Sequence, residues 1–436
     1  MAAASLFIIS ACSDDGRPSQ DIVVPAEYQP AVDWVADNAV LLNSLDPADE
    51  DFSDLAPLAA AIGDADVVLL GEQTHFDGST FLGKTRLIKF LHQEMGFDVL
   101  AFENPMFDME QMRLAVQSGR PAIDAANTGM FGVWSRSSQM LPLFSYIDET
   151  SNSANPLIIN GFDSQFSLPH SQEDLIPRFK QFLAANNFAG LTSAEWPAFE
   201  STLNDIINVI GQGAGNEVPP AYETVRDQLL AELPNLAPAD ALFDNPGFWL
   251  QIVRNAEIER TRRALVAGGQ WGSTNMRDGQ MAQNLIWLKD TLYPNQKVIV
   301  WAATLHTMRR LPELDTRTPT FSYEGIRTMG DPLHEHYGDD LYSIGFISGG
   351  GSFTNLFTGL TFIIDPPIVP SLEYLFLASE SGPLGFLDLT SIPSNLPLLN
   401  EPLIGRPVGH GDFQAIWQNH LEAVLYVDRV TTSTLN

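Results

Sequence analysis

The chain has 436 residues, 44% of them apolar and only 18% charged, and 54 acidic against 23 basic side chains leave a formal net charge of −31. That length allows one large α/β domain or two smaller ones. The acidic excess disfavours nucleic acid and anionic membrane surfaces as partners, since both need a positive footprint. The plain reading of the charge is a solvated acidic surface, and the sharper one is a field that steers a cationic substrate. A single cysteine, Cys12, excludes an intramolecular disulfide and a cysteine-based zinc site.

Residues 1–11 are apolar and small, and Ile9-Ser10-Ala11-Cys12 resembles a bacterial lipobox. After Cys12 the chain turns polar. Such a segment is a processing signal rather than structure, so 1–11 reads as a signal peptide and 12–30 as a lipidated tether. Cleavage before Cys12 and lipidation of its thiol would place the protein at the bacterial cell envelope, on the outer membrane or the periplasmic face. No Lys or Arg precedes Cys12, a departure from the usual leader. The bland alternative is an incidental cysteine in a terminal segment. No other apolar run approaches the ~20 residues of a membrane span, so the lipid is the only membrane contact expected.

Helical periodicity covers 31–42 and 55–62. An apolar strand at 66–70 ends in Gly71, Glu72, Gln73, Thr74 and His75. A helix at 79–95 follows, with Gly96 placed as its C-cap. The next strand, 97–102, ends in Glu103. Helices are expected at 106–117 and 140–149, then a strand at 156–161 that ends in Asp163 and Gln165. Residues 170–265 carry helical patterns broken by prolines and read as a helical insertion or cap. A helix at 278–292 leads to a strand at 297–302, with Thr304 and His306 just beyond. Further strands are expected at 341–348 and 423–430. Strands that alternate with helices imply an α/β fold, a mainly parallel central sheet flanked by helices.

Four apolar strands thus end in polar or ionisable groups. The carboxyl ends of parallel strands share one rim, and ligands bind there. Carboxylates beside histidines supply what hydrolysis needs, because a neutral imidazole can take a proton from water near pH 7. A neighbouring carboxylate can fix its tautomer and stabilise the imidazolium. His75 is the first choice for this work, with His306 a second site histidine. Each residue also has a plainer reading. His75 could cap the following helix, Glu72 and Glu103 could pair structurally with Arg86 or Arg277, and His306 could be a satisfied core histidine. His92 reads as packing or surface. His334 and His336 form a loop His-x-His that is weak as a metal site without further ligands. His170, His410 and His420 lack supporting context. No Gly-x-Ser-x-Gly elbow and no Gly-x-x-x-x-Gly-Lys loop occurs, and Gly349-Gly350-Gly351-Ser352 is weak as a phosphate loop.

An ordered series of motifs over roughly 60–430 resembles the erythromycin esterase family. It comprises Gly71-Glu72-Gln73-Thr74-His75, Gly96 to Glu103, Trp134, Gly161-Phe162-Asp163-Ser164-Gln165, Arg277-Asp278 with Met281-Ala282, Trp301-Ala302 with His306, Met329-Gly330, Tyr337-Gly338 and Gly385-Phe386-Leu387-Asp388-Leu389. Characterised resistance members of that family hydrolyse the macrolide lactone ester. The resemblance implies that His75 is the general base that activates water and that Glu72, Glu103 and His306 belong to the same catalytic set. Two departures stand out. Ala303 and Thr304 occupy a place where members often carry His-Asn, and Phe76 replaces a common glycine. Both bear on which ester is cleaved more than on hydrolysis itself.

The sequence therefore reads as a lipid-anchored α/β hydrolase of a small-molecule ester or lactone, working without a covalent acyl-enzyme. Its domain spans 31–436, with the helical insertion at about 170–265. His75 acts as base, and Glu72 orients it or its water. His306 stabilises the oxyanion with Arg277 as a second donor, while Glu103 shapes the charge of the pocket. Arg277, Asp163, Gln165 and Trp301 are expected to bind substrate. No cofactor is required in this reading. One rival is a divalent metal held by Glu72, His75, Glu103 and His306, which would lower the pKa of a bound water. The other is a surface ligand-binding lipoprotein that has lost catalysis, a reading motivated by Ala303.

Overall fold

The computed structural model describes residues 24–208, 218–265 and 271–436. The expected signal peptide, Cys12 and most of the expected tether lie outside the described residues. Twelve strands are described, β1 (Val40–Leu41), β2 (Val67–Glu72), β3 (Val99–Pro105), β4 (Ile158–Asp163), β5 (Val298–Ala303), β6 (Leu341–Ser348), β7 (Gly351–Thr354), β8 (Thr361–Ile364), β9 (Leu384–Asp388), β10 (Leu403–Gly405), β11 (Phe413–Ala415) and β12 (Ala423–Val427). Eight of them form the central sheet, in the order β1-β9-β12-β6-β2-β5-β3-β4. From β12 to β4 every neighbouring pair is parallel. At the other edge β9 joins β12 and β1 joins β9, both antiparallel. The remaining strands pair off as two hairpins, β7 with β8 and β10 with β11.

Side chains of a strand alternate between the two faces of its sheet, and here both faces are apolar. Val68 and Leu70, Leu100 and Phe102, and Ile299 and Trp301 enter one core. Val67 and Leu69, Val99 and Ala101, and Val298 and Val300 enter the other. This double burial is why the strands read as unbroken apolar runs. The first core is closed by the helix Gly78–Met95, which ends where Gly96 turns left-handed at φ 72. The second core is shared with the helices of 170–265, whose Phe179, Phe199, Tyr222 and Trp249 pack in the same cluster as the sheet residues.

Most expected elements are present. The expected helix 31–42 is shorter, Gln29–Asn38, because Val40 and Leu41 pair with Phe386 and Gly385 of β9. His334 and His336 lie on a helix, Gly330–Tyr337, rather than in a loop. No helix among the described residues is long and apolar enough to cross a membrane.

Candidate active site

β2 ends at the centre of the sheet's carboxyl rim, where Glu72 lies opposite Ala303 of β5. A Cβ on Gly71 would stand 2.6 Å from Thr304 Oγ1 and 3.0 Å from Thr304 Cα. Glycine therefore lets the short helix Thr304–Thr307, which carries His306, cross tightly beside the strand end.

Glu72 has no exposed surface and accepts three contacts. His75 Nδ1 lies 2.6 Å from its Oε1, Trp134 Nε1 lies 3.2 Å from the same oxygen, and Lys84 Nζ lies 2.8 Å from Oε2. An ionised carboxylate can only accept, so the proton sits on His75 Nδ1 and Nε2 is left as the basic nitrogen. The side chain of His75 is 33% exposed, whereas that of Glu72 is 0% exposed. Burial works against a charged His75, but its hydrogen bond to Glu72 and the charges of Glu72 and Glu103 outweigh burial and raise its pKa above the ordinary 6.5. Lys84 is also fully buried. It donates to Ala302 O at 3.3 Å and stands 4.1 Å over the Trp301 ring. Burial pushes its ammonium down to about 8 against the attraction of Glu72.

A second cluster is centred on Glu103 in β3. Its Oε1 accepts from Arg277 Nη2 at 2.9 Å and faces His306 Nε2 at 3.2 Å, and Oε2 accepts the Ala303 N–H at 3.1 Å. Arg277 also forms a two-pronged pair with Asp163, Nε to Oδ1 at 3.0 Å and Nη2 to Oδ2 at 2.6 Å. His306 Nδ1 is 2.7 Å from Asp278 Oδ1, and that oxygen also accepts Met329 N–H at 3.1 Å. Burial opposes the charge of His306, yet Asp278 and Glu103 raise its pKa to about 10. It is therefore an imidazolium at neutral pH with both N–H groups donated. The 3.3 Å approach of Arg277 Nη1 to His306 Nε2 is then a contact between two donors, tolerated because Glu103 Oε1 accepts from both residues. Burial alone would raise the Glu103 carboxyl, but His306, Arg277 and His75 hold it well below the usual carboxylate range.

The structure thus brings Glu72, His75, Glu103, Arg277, Asp163 and His306 to one rim. Trp301 has no exposed surface and lies between Phe81 and Phe102, beneath Lys84. It supports the site from below and does not line it. Asp163 is fully buried against Arg277. Gln165 Nε2 donates to Asp163 Oδ2 at 2.8 Å and so helps hold Asp163 in place. Arg277 gives Nε and Nη2 to the carboxylates of Asp163 and Glu103, and Nη1 is not engaged by a carboxylate. Of the two partners weighed for the glutamates, Arg277 does pair with Glu103, whereas Arg86 pairs with Asp54.

Sequence reasoning did not assign Lys84, Trp134 or Asp278 to the site. Lys84 left a signal, since it sits three residues after Phe81 and four before Ile88 on the buried stripe of its helix, and a buried lysine implies a partner. The other histidines have local partners. His92 bonds Tyr146, His170 bonds Asp174, His334 bonds Glu422, His336 bonds Asp290 and His420 bonds Arg309 O. Among the described residues no group of three or more His, Cys, Asp or Glu side chains is set to hold a metal ion.

A parallel-sheet α/β protein with a histidine and carboxylate cluster at the carboxyl rim is the class that this fold and rim define. The erythromycin esterase family matches residues 92–430, and the chain belongs to that family, one of hydrolases. It is 25% identical over 421 residues to the Bacillus subtilis protein YbfO, which carries a provisional hydrolase name, covering 92% of this chain and 91% of that one. To the Escherichia coli protein named erythromycin esterase type II it is 23% identical over 362 residues, covering 74% of this chain and 78% of the relative. The structure of an erythromycin esterase mutant in its open conformation shares the fold, with a TM-score of 0.63 and 17% identity over 90% of this chain and 97% of that one.

Proposed function

We propose that this chain hydrolyses a carboxylic ester or lactone with a water molecule that His75 deprotonates. The observation that carries this reading is the 2.6 Å contact between Glu72 and the partly exposed His75, at the centre of a rim whose carboxylates Glu72, Glu103 and Asp163 are buried. Glu72 fixes the Nδ1–H tautomer, so Nε2 takes the proton from water as the oxygen attacks the carbonyl carbon. Glu72 then stabilises the imidazolium, and Lys84 holds the other oxygen of Glu72. The tetrahedral intermediate carries negative charge, which the partly buried Arg277 and the buried His306 stabilise as a fixed positive field. Collapse breaks the ester C–O bond, and His75 returns its proton to the leaving alkoxide. No acyl-enzyme forms on this path.

The lipobox-like segment around Cys12 supports placing the activity at the cell envelope. The test is a screen of esters, lactones and macrolides with wild type beside His75→Ala. Turnover lost in His75→Ala, with circular dichroism unchanged, is the expected result, and full turnover by that variant would overturn the base assignment.

A further inference from the structure

A further histidine and carboxylate pair, His410 with Asp77, lies beside the segment that carries His75, and the reaction described above does not use it. Asp77 has no exposed surface and occupies the position before the helix Gly78–Met95, yet its side chain makes no cap hydrogen bond there. Its carboxylate instead faces His410 Nε2, 2.9 Å from Oδ2 and 3.2 Å from Oδ1. His410 Nδ1 is 3.1 Å from Ser348 Oγ at the end of β6. Phe353 of β7 stacks on the imidazole with ring centroids 5.2 Å apart, and the His410 side chain is 4% exposed. His410 also holds φ at 56, a left-handed backbone that a non-glycine residue keeps only where its surroundings impose it.

The loop that carries His410 grips the same segment at its other end. Gly409 N–H donates to Gln73 O at 2.8 Å, and Gln73 Nε2 donates to Arg406 O at 2.6 Å. Gln73 and Asp77 lie two residues before and two residues after His75. Between them, Ser433 N–H donates to Phe76 O at 2.7 Å. The backbone that presents His75 is therefore fastened on both sides of the histidine by one loop that arrives from over 300 residues later, as the separations of 333 residues for Asp77 with His410 and Gln73 with Arg406 show. A buried carboxylate is costly without a partner, so Asp77 keeps His410 in place as firmly as His410 keeps Asp77.

We propose that His410, through Asp77, is a positioning residue that sets the placement of His75 over Glu72. This rests on the hydrolase reading above. A general base displaced by about 1 Å can lose ~10²-fold in rate, and the clamp prevents such a displacement. His410→Gly removes the imidazole and suits the left-handed backbone, so it tests the side chain without adding strain. His410→Asn also tolerates that backbone and keeps a side-chain donor for Asp77.

The expected result is a 10- to 100-fold lower kcat in His410→Gly at unchanged KM, with most of it restored in His410→Asn. Wild-type kcat in His410→Gly, or a loss confined to KM, overturns the proposal. A second readout needs no substrate. The low-field proton resonance of the short His75–Glu72 hydrogen bond should broaden or vanish in His410→Gly and return in His410→Asn, and its persistence in His410→Gly overturns the clamp. If wild type turns over no ester, the hydrolase reading fails while this resonance still decides the positioning role. Should His410→Gly not fold, Asp77→Asn carries the same measurements with a nearly isosteric change.

Discussion

Lys84 and Glu72 form an ion pair 2.8 Å long in which neither side chain has any exposed surface. Removing one partner of such a pair leaves the other charge buried without compensation, at a cost of about 3–5 kcal/mol. Lys84→Met should therefore lower the melting temperature and abolish turnover, because Glu72 loses the ammonium that fixes its Oε2 and with it the placement that holds His75. Thermal unfolding beside an ester assay checks this. A Lys84→Met protein with wild-type turnover would remove Lys84 from the site.

The raised pKa of His75 fixes the sign of the pH dependence. The base must be neutral, so kcat/KM should climb with pH through an inflection above the ordinary histidine value of 6.5. Glu72 supplies the hydrogen bond and the largest charge that raise His75, whereas burial lowers it. In Glu72→Gln the residual activity should show that inflection moved to lower pH. An unmoved inflection would mean that another group titrates.

His306 carries a stability signature of its own. Its pKa is raised to about 10 in the folded protein against a reference of 6.5. The stability it contributes is fully present below the unfolded value and is lost as pH rises through the folded one. Melting temperature should thus decline from pH 7 to 10, and His306→Asn should flatten that slope. An equal slope in both proteins would remove His306 as the cause.

Glu103 joins two cations, accepting from Arg277 and facing His306 with the same oxygen. Glu103→Gln keeps the shape and removes the charge, so His306 and Arg277 repel and the His306 pKa falls. Turnover should drop ~10²-fold or more, in the range seen when one preorganised electrostatic contact is lost, with little change in far-UV circular dichroism. Undiminished kcat would confine Glu103 to a structural role.

At the N-terminus, Cys12→Ser tests the lipobox reading. Metabolic labelling with a radioactive fatty acid should mark the wild-type chain, and the serine variant should remain unlabelled. Equal labelling of both would reject the lipid anchor.

Local pattern made much of this protein legible. The runs that lead into Glu72, Glu103, Asp163 and His306 are strands buried on both faces, so their apolar residues are continuous and the polar groups that follow mark the rim. The helix Met106–Gln117 and the C-cap at Gly96 follow equally from periodicity and glycine chemistry. β1 and β9 were hidden because a short antiparallel strand depends on partners far away, as Val40 does on Phe386.

The sequence by itself determined the parallel α/β architecture, the rim, and the histidine and glutamates that stand on it, because strand and helix periods are local properties. Only the tertiary structure decided which charge neutralises which. Lys84 meets Glu72 across 12 residues, Asp278 meets His306 across 28, and Asp77 meets His410 across 333. It also placed Trp301 in the core beneath Lys84, and it set Gln165 against Asp163 and Asp163 against Arg277. Ionisable groups in a buried rim must find partners wherever the chain brings them, and no local spacing encodes that choice.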